Sequence, residues 1–355
     1  MDKSKILYVC GSLNQTTQMH QISKDLSEHD SYFTPYYPDG YGYIKLVTKA
    51  GLLDFSILGG QAKERTLNYL NKHNLNIDED GKNNDYDLVF TCSDLLVQKN
   101  IRNKKIILVQ EGMTDPENLT YHLVKNFGLP RWIASTSVTG ISNAFDKFCV
   151  ASEGYRNLFI KKGVTPSKIE VTGIPNFDNC KEFIHNDFPH KNYVLVATSD
   201  MRETYKFENR KKFLNKAFNL ADGRKIIFKL HPNENYKRAL HEIEKYAPGS
   251  LVYQNEKIEP MIANCDVLIT RYSSVVYIGL ALGKEVHSDF DVEELKQLVP
   301  IQNGGSSAFH IAQIGRRLLA ENKISNVYSI NRSTLKQFSL REILNFKRKL
   351  SKIRR

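Results

Sequence analysis

Two short polar clusters carry residue types that suit phosphate chemistry. His231-Pro232-Asn233-Glu234 follows the apolar run IIFKL, and Arg271-Tyr272-Ser273-Ser274 follows the run DVLIT. An imidazole can donate to a phosphate oxygen or hand it a proton, and the proline after it stiffens the local backbone. Two adjacent hydroxyls at the start of a helical pattern add further donors, and the backbone N–H groups of a helix start attract anions. Each cluster stands at the carboxyl end of a strand-like run, where ligands bind in open α/β sheets. Residues 225–288 therefore read as half of a nucleotide-binding site. Thr198, Ser199 and Arg202 follow a similar run, NYVLVA, and join Pro232 and Asn233 as candidates for nucleotide contact. For Arg202, a phosphate contact and a surface ion pair both stay open.

The elements that would position these residues alternate throughout the chain. KILYVC (5–10) reads as a buried first strand followed by a polar turn and an amphipathic helix. That places Ser12, Asn14 and Thr16 at the mouth of a cleft. YDLVFTCSD gives a strand ending at Asp94, and KKIILVQEG gives one ending at Glu111 and Gly112. Further strands are expected at 148–151 and around 169–172, with a helix at 61–77. The segment 32–60, rich in Tyr, Gly and Phe, has no clean period and reads as a loop, either one that binds acceptor or a surface flap. A polar break at 180–191 marks a domain boundary. The expected layout is α/β: a first doubly wound domain over 1–180, a second over 191–315, and helices over 316–355 that pack back on the first.

Composition limits the class. A chain of 355 residues with 41% hydrophobic and 25% charged residues is ordinary for a globular protein of two domains. No run approaches a membrane span, and the N-terminus enters a strand without a signal-like segment, so a cytoplasmic location is expected. Five cysteines without CxxC spacing read as buried free thiols. The net charge of +11 is concentrated partly in residues 341–355, with seven Lys or Arg against one Glu. Apolar residues are interleaved there, so this tail either lies on an anionic membrane surface or contacts polyanions, or forms a solvated terminal helix. No nucleic-acid partner is expected.

The pattern resembles the glycosyltransferase B-type (GT-B) fold, two facing Rossmann-like domains with nucleotide on the second and acceptor on the first. The HP pair at His231-Pro232, the double serine at Ser273-Ser274 and the acidic-Gly pair at Glu111-Gly112 look like the motifs of bacterial CMP-sugar transferases, the sialyl and Kdo transferases. TRYSSVVYIGLALGKEV also resembles CDP-glycerol glycerophosphotransferases. The segment 150–178 and SDMRET (199–204) are similar to non-hydrolysing UDP-N-acetylglucosamine 2-epimerases.

These resemblances imply an enzyme that moves a sugar from a nucleotide-activated, CMP-linked donor to a cell-surface glycan or lipid-linked acceptor. The alternatives are epimerase-like or CDP-glycerol chemistry. Such transfer needs a base for the acceptor hydroxyl and donors for the departing phosphate. Glu111 takes the first role and His231, with Ser273 and Ser274, the second. Serines at a helix start also serve as simple N-caps. No DxD-type motif stands at a strand end, so no metal or cofactor is expected beyond the donor itself.

Overall fold

The computed structural model describes residues 3–39, 42, 44, 57–203 and 207–322. Strands β1 (Lys5–Cys10), β2 (Asp30–Pro35), β3 (Leu88–Thr91), β4 (Lys105–Val109), β5 (Lys147–Val150) and β6 (Ile169–Val171) form one sheet in the order β2-β1-β3-β4-β5-β6. A second sheet, ordered β11-β10-β7-β8-β9, holds β7 (Val194–Ala197), β8 (Ile226–Lys229), β9 (Leu251–Tyr253), β10 (Val267–Ile269) and β11 (Glu285–His287). Every pairing between these strands is parallel. All residues of β3, β7 and β8 are buried, as parallel strands covered on both faces require. Neighbouring connections leave on opposite sides between β1 and β3 and between β7 and β10, which opens a crevice at the carboxyl end of each sheet. The result is the α/β arrangement of the GT-B fold. No helix among the described residues is long and apolar enough to cross a membrane.

The helices that matter for the crevice begin on side-chain caps. α1 (Leu13–Lys24) starts at Ser12, which accepts from the Gln15 amide at 3.2 Å. α2 (Gly60–Lys72) lies beside it, and Thr66 donates to the Gly11 carbonyl at 3.1 Å. α3 (Leu119–Phe127) and α4 (Glu153–Lys162) follow β4 and β5. In the second half, α5 (Arg210–Ala221), α6 (Tyr236–Tyr246), α7 (Ile258–Asn264), α8 (Val276–Ala281) and α9 (Val292–Leu298) alternate with the strands.

A helix over 307–322 completes the first sheet's core. Its Ile311, Ala312, Ile314 and Leu318 pack with Ile6, Tyr8 and Phe90. A methyl added at Gly315 would come within 3.0 Å of the Phe90 ring, so the bare glycine is what allows the helix to lie so close. Arg316 anchors it by donating to Glu28 at 2.6 Å. The chain thus recrosses between the sheets over 300–306, earlier than the boundary at 316 expected from the sequence.

Part of the segment read as a loop, 32–60, belongs to a strand. β2 pairs with β1 along its whole length, from Lys5–Asp30 to Cys10–Pro35. It escaped the reading because it runs along the sheet edge, half-buried for three residues and buried for three, and ends in a proline that edges tolerate. Most of the remaining segment, 40–56, lies outside the described residues. α2 also stops at Lys72, short of the expected 77, and the short β9 was not anticipated.

Candidate functional site

Glu111 leaves β4 at the mouth of the first crevice. Both of its carboxylate oxygens are engaged: Ser12 Oγ donates to Oε1 and Gln15 Nε2 to Oε2, each at 2.6 Å. Ser12 thereby caps α1 and orients the carboxylate at once. Gln110, just before it, is buried and ties β4 to β5, accepting from the Ala151 amide at 2.9 Å and donating to the Gly112 carbonyl at 2.7 Å. The turn that presents Glu111 is therefore fixed from both sides, as a group acting on a reacting proton needs to be.

Across the cleft, β8 ends in the His231 loop. The His231 amide donates to Glu234 Oε2 at 3.0 Å, closing a tight turn, and Asn235 caps α6 by accepting from the Arg238 amide at 3.1 Å. His231 Nδ1 accepts from the Asn233 amide at 3.2 Å and lies 3.5 Å from Asp200 Oδ2. With Nδ1 used as an acceptor, the proton of the neutral ring belongs on Nε2, which becomes the donor.

Ser273 and Ser274 follow β10. α8 draws no side-chain cap from them, since its N-cap is Val275, so the simple capping role does not account for these hydroxyls. Ser199 Oγ, after β7, is buried and has no hydrogen-bond partner among the described residues.

Three contacts close the cleft. A methyl on Gly112 would lie 3.7 Å from Ser274 Cβ and 3.4 Å from the Phe177 ring, so the Glu111-Gly112 turn faces the double serine directly. Arg65 of α2 reaches over to Asn233 Oδ1 at 3.5 Å. Behind the cleft, the buried hydroxyls of Tyr155 on α4 and Tyr277 on α8 meet at 2.5 Å. The Glu111-Gly112 turn thus abuts Ser274, and Arg65 reaches the loop that carries His231. Among the described residues, no group of three or more His, Cys, Asp or Glu could hold a metal ion.

No curated protein matches the chain. Residues 86–280, more than half of it, match the family described as CDP-Glycerol:Poly(glycerophosphate) glycerophosphotransferase. The chain belongs to that family. It is a transferase acting with a nucleotide-linked glycosyl or glycerophosphate group. Among solved structures, it is similar to UDP-GlcNAc 2-epimerase from Neisseria meningitidis bound to UDP-GlcNAc (13% identity, 88% of this chain and 100% of that one, TM-score 0.53). It is also similar to the S. aureus MnaA-UDP co-structure (12% identity, 89% and 90% coverage, TM-score 0.51). These likenesses establish the fold. The wall teichoic acid polymerase TagF aligns as well, at 14% identity over 90% of this chain and 89% of that one, with a TM-score of 0.48.

Within this glycerophosphotransferase domain, several residues expected at the site lie elsewhere. Asp94 is buried, and its carboxylate accepts from the amides of Gly140 and Ser142 at 2.9 and 3.2 Å, holding an internal turn. Thr16 faces inward because it sits a full turn into α1, where its hydroxyl donates to the Ser12 carbonyl at 2.8 Å. Asn14 stays exposed at the rim, its carbonyl accepting from Asn176 at 3.1 Å. Thr198 is buried, and its hydroxyl donates to Glu234. Arg202 is held by Glu242 through two bonds of 2.7 and 2.9 Å and pairs with Glu208 at 3.2 Å, so its charge is already neutralised. Pro232 and Asn233 remain exposed on the cleft loop.

What the sequence reading missed is the charge knot behind that loop. Arg210 is 5% exposed and pairs with Glu234 at 3.1 Å, Glu208 at 3.6 Å and Glu242 at 3.7 Å. Arg271, beside the double serine, pairs with Glu208 at 3.5 Å and Asp289 at 2.6 Å. Burial pushes the Glu234 carboxyl up, against the pull of Arg210 and Thr198. Glu242 feels burial too, but the Arg202 guanidinium outweighs it and holds the carboxyl down. The knot joins the His231 loop to the Ser273 loop through Glu234, Arg210, Glu208 and Arg271. In the sequence, FENRKK looks like an ordinary solvated helix start, and nothing in its spacing signals burial.

Proposed function

We propose that the chain transfers glycerol phosphate from a CDP-linked donor to a hydroxyl of a cell-surface polymer or its lipid-linked precursor. The observation that carries this reading is the apposition of the Glu111-Gly112 turn to Ser274, with Arg65 of the same half reaching Asn233 in the His231 loop. Family membership supports the donor. In the step, Glu111 takes the proton of the acceptor hydroxyl as its oxygen attacks the β-phosphorus. The bond from that phosphorus to the bridging oxygen breaks, and CMP leaves with the electron pair. His231 Nε2, Ser273 and Ser274 donate to the departing phosphate, and Ser199 and Asn233 contact the nucleotide. Arg65 screens the charge from the opposite wall.

These donors supply the charge stabilisation, so no metal is assigned to the step. Turnover that is lost in excess EDTA and regained with Mg²⁺ would overturn that part. The basic segment 341–355 lies outside the described residues; we assign it contact with the inner, anionic membrane face, which places the reaction in the cytoplasm.

A second reading keeps the site and changes the group moved. A CMP-linked sugar also leaves CMP behind, the acceptor then attacking the anomeric carbon, and the HP and double-serine resemblance favours it. The likeness to the 2-epimerases is one of fold. Calorimetry with CMP, CDP-glycerol, a CMP-sugar and UDP, together with assays of CMP release, separates these readings. Binding and turnover of CDP-glycerol, with affinity weakened in His231→Ala, is expected. Turnover of the CMP-sugar alone selects the second reading, and binding of UDP alone overturns both.

A further inference from the structure

Tyr155 and Tyr277 are 1% and 0% exposed, and their hydroxyl oxygens, 2.5 Å apart, stand at the short end of the range for O–H···O bonds. Tyr155 lies in the first turn of α4, in the first half of the chain, and Tyr277 in the first turn of α8, in the second. The bond therefore crosses between the halves. Phenylalanine fills nearly the same volume, and exchanging both partners of a buried hydrogen bond for apolar groups of the same shape is close to neutral for stability. What the two hydroxyls add is a fixed distance and direction between the helices that carry them.

Each helix start is tied to one wall of the cleft. On the first side, the Ala151 amide, next to the Ser152 cap of α4, donates to Gln110 Oε1 at 2.9 Å. Burial pushes the Tyr155 phenol well above its ordinary 10.0, and the Thr114 amide and the Gln110 side chain, bonded to its oxygen, pull it back. Tyr155 thus backs onto the turn from Gln110 to Thr114 that presents Glu111. On the second side, the Tyr277 amide donates to the Ser274 carbonyl at 3.1 Å. The Tyr277 ring also meets Phe177 edge-on, with centroids 6.3 Å apart, and Phe177 is the ring that lies against Gly112. The backbones are close here too: a methyl on Gly154 would come within 1.9 Å of the Gln297 carbonyl, and Ser152 Oγ donates to the Leu298 carbonyl at 3.2 Å. Burial raises the Tyr277 phenol as well, so both hydroxyls keep their protons near neutral pH and the pair is a fixed bond, not a proton path.

We propose that Tyr155 and Tyr277 are positioning residues that set the distance from Glu111 to the donors at Ser273 and Ser274. Neither touches a reacting atom; each acts through the element that carries a group that does. A displacement of about 1 Å between such groups is enough to slow a reaction severely. The inference rests on the roles given above to Glu111 and the double serine, and it holds whichever group is transferred.

The full-length parent, Tyr155→Phe, Tyr277→Phe and the double variant are compared by calorimetric melting, by CMP binding and by CMP release from the donor that the parent turns over. Each single variant leaves a buried hydroxyl without its partner, so it should melt a few degrees lower, with kcat reduced about 10- to 100-fold. In the double variant the melting temperature should return close to the parent's while kcat stays low. CMP affinity should be unchanged throughout, since His231, Ser273 and Ser274 all belong to the second half. Recovery of kcat together with the melting temperature would reduce the pair to packing and overturn the proposal. So would CMP affinity that falls in step with kcat, which would place the effect inside the nucleotide pocket. Hydrogen exchange adds a readout that needs no substrate: peptides covering 110–118 and 273–280 should exchange faster in the double variant, with the other segments as in the parent. A parent inert toward every donor would count against the proposed reaction, and exchange would then decide the linkage alone, unchanged rates in both segments overturning it.

Discussion

The two walls of the cleft handle charge in opposite ways. On the first, a single carboxylate, Glu111, is presented between a hydroxyl and an amide. On the second, Glu208, Arg210, Glu234, Arg202, Glu242 and Arg271 neutralise one another beneath the loops. What reaches the cleft there is an imidazole and hydroxyls. The difference separates roles: charge on the first wall is available for a proton, whereas charge on the second holds two loops at a fixed spacing. Removing a charge should therefore cost rate on one side and folding on the other.

Glu111→Gln tests the first half of that statement most severely. Turnover should fall about 10²- to 10⁴-fold, the usual contribution of a positioned base, with nucleotide affinity by calorimetry unchanged. Comparable loss of affinity and rate would move Glu111 from the reaction to the binding of the donor.

Arg210→Met tests the second wall. It leaves Glu208 and Glu234 buried without their shared cation, which costs about 3–5 kcal/mol of stability. Differential scanning calorimetry should show the melting temperature falling by about 6–20 °C. A variant that melts like the parent but turns over slowly would mean that Arg210 serves the reaction itself.

His231→Ala should lower kcat by about 10²-fold or more, as loss of one transition-state donor does, while the melting temperature stays within a few degrees. It sits between the other two variants, because its ring lies on the charged wall yet belongs to the cleft. Ser12→Ala should have a smaller effect on stability, about 1 kcal/mol from the lost cap, with a drop in kcat as Glu111 loses one of its two holders.

The mildest test concerns Asp94, the carboxylate that points away from the cleft. Burial raises its carboxyl above the ordinary 3.8, against the two donated backbone amides. The native state therefore binds the proton more tightly than the unfolded chain does. The stability this gives is present below pH 3.8 and is lost as pH rises through the native value. Urea melts of Asp94→Asn should lack that decline, and kcat should be nearly unchanged. An equal decline in the variant would assign it to another carboxyl.

The sequence made the fold and the polar ends of its strands legible for the same reason. Strands buried on both faces appear as unbroken apolar runs, and the polar residues that end them, Glu111, His231 and Ser273-Ser274, stand out by contrast. Direction was less legible. Thr16 and Asp94 are polar and close to strand ends, yet the phase of α1 and the internal turn at 139–142 point both side chains inward. The charge knot could not be read at all, because partners such as Arg210 and Glu234 are distant in sequence and each looks like a surface residue by itself. β2 was hidden by its edge position, where burial changes along the strand instead of alternating.

The helix over 307–322 bears on how the protein is made. It supplies apolar residues to the first sheet, although more than a hundred residues separate it from the last strand of that sheet. At ribosomal speeds of about 5–20 residues per second, that interval lasts on the order of ten seconds. During it, the newly made first half has a gap along β1 and β3 where the helix will later sit. The second half can finish its own core in that time, so the order of completion during synthesis runs opposite to the order of the sequence. Truncation before residue 307 would leave the domain that carries Glu111 unfinished, while the half that carries His231 keeps its own core.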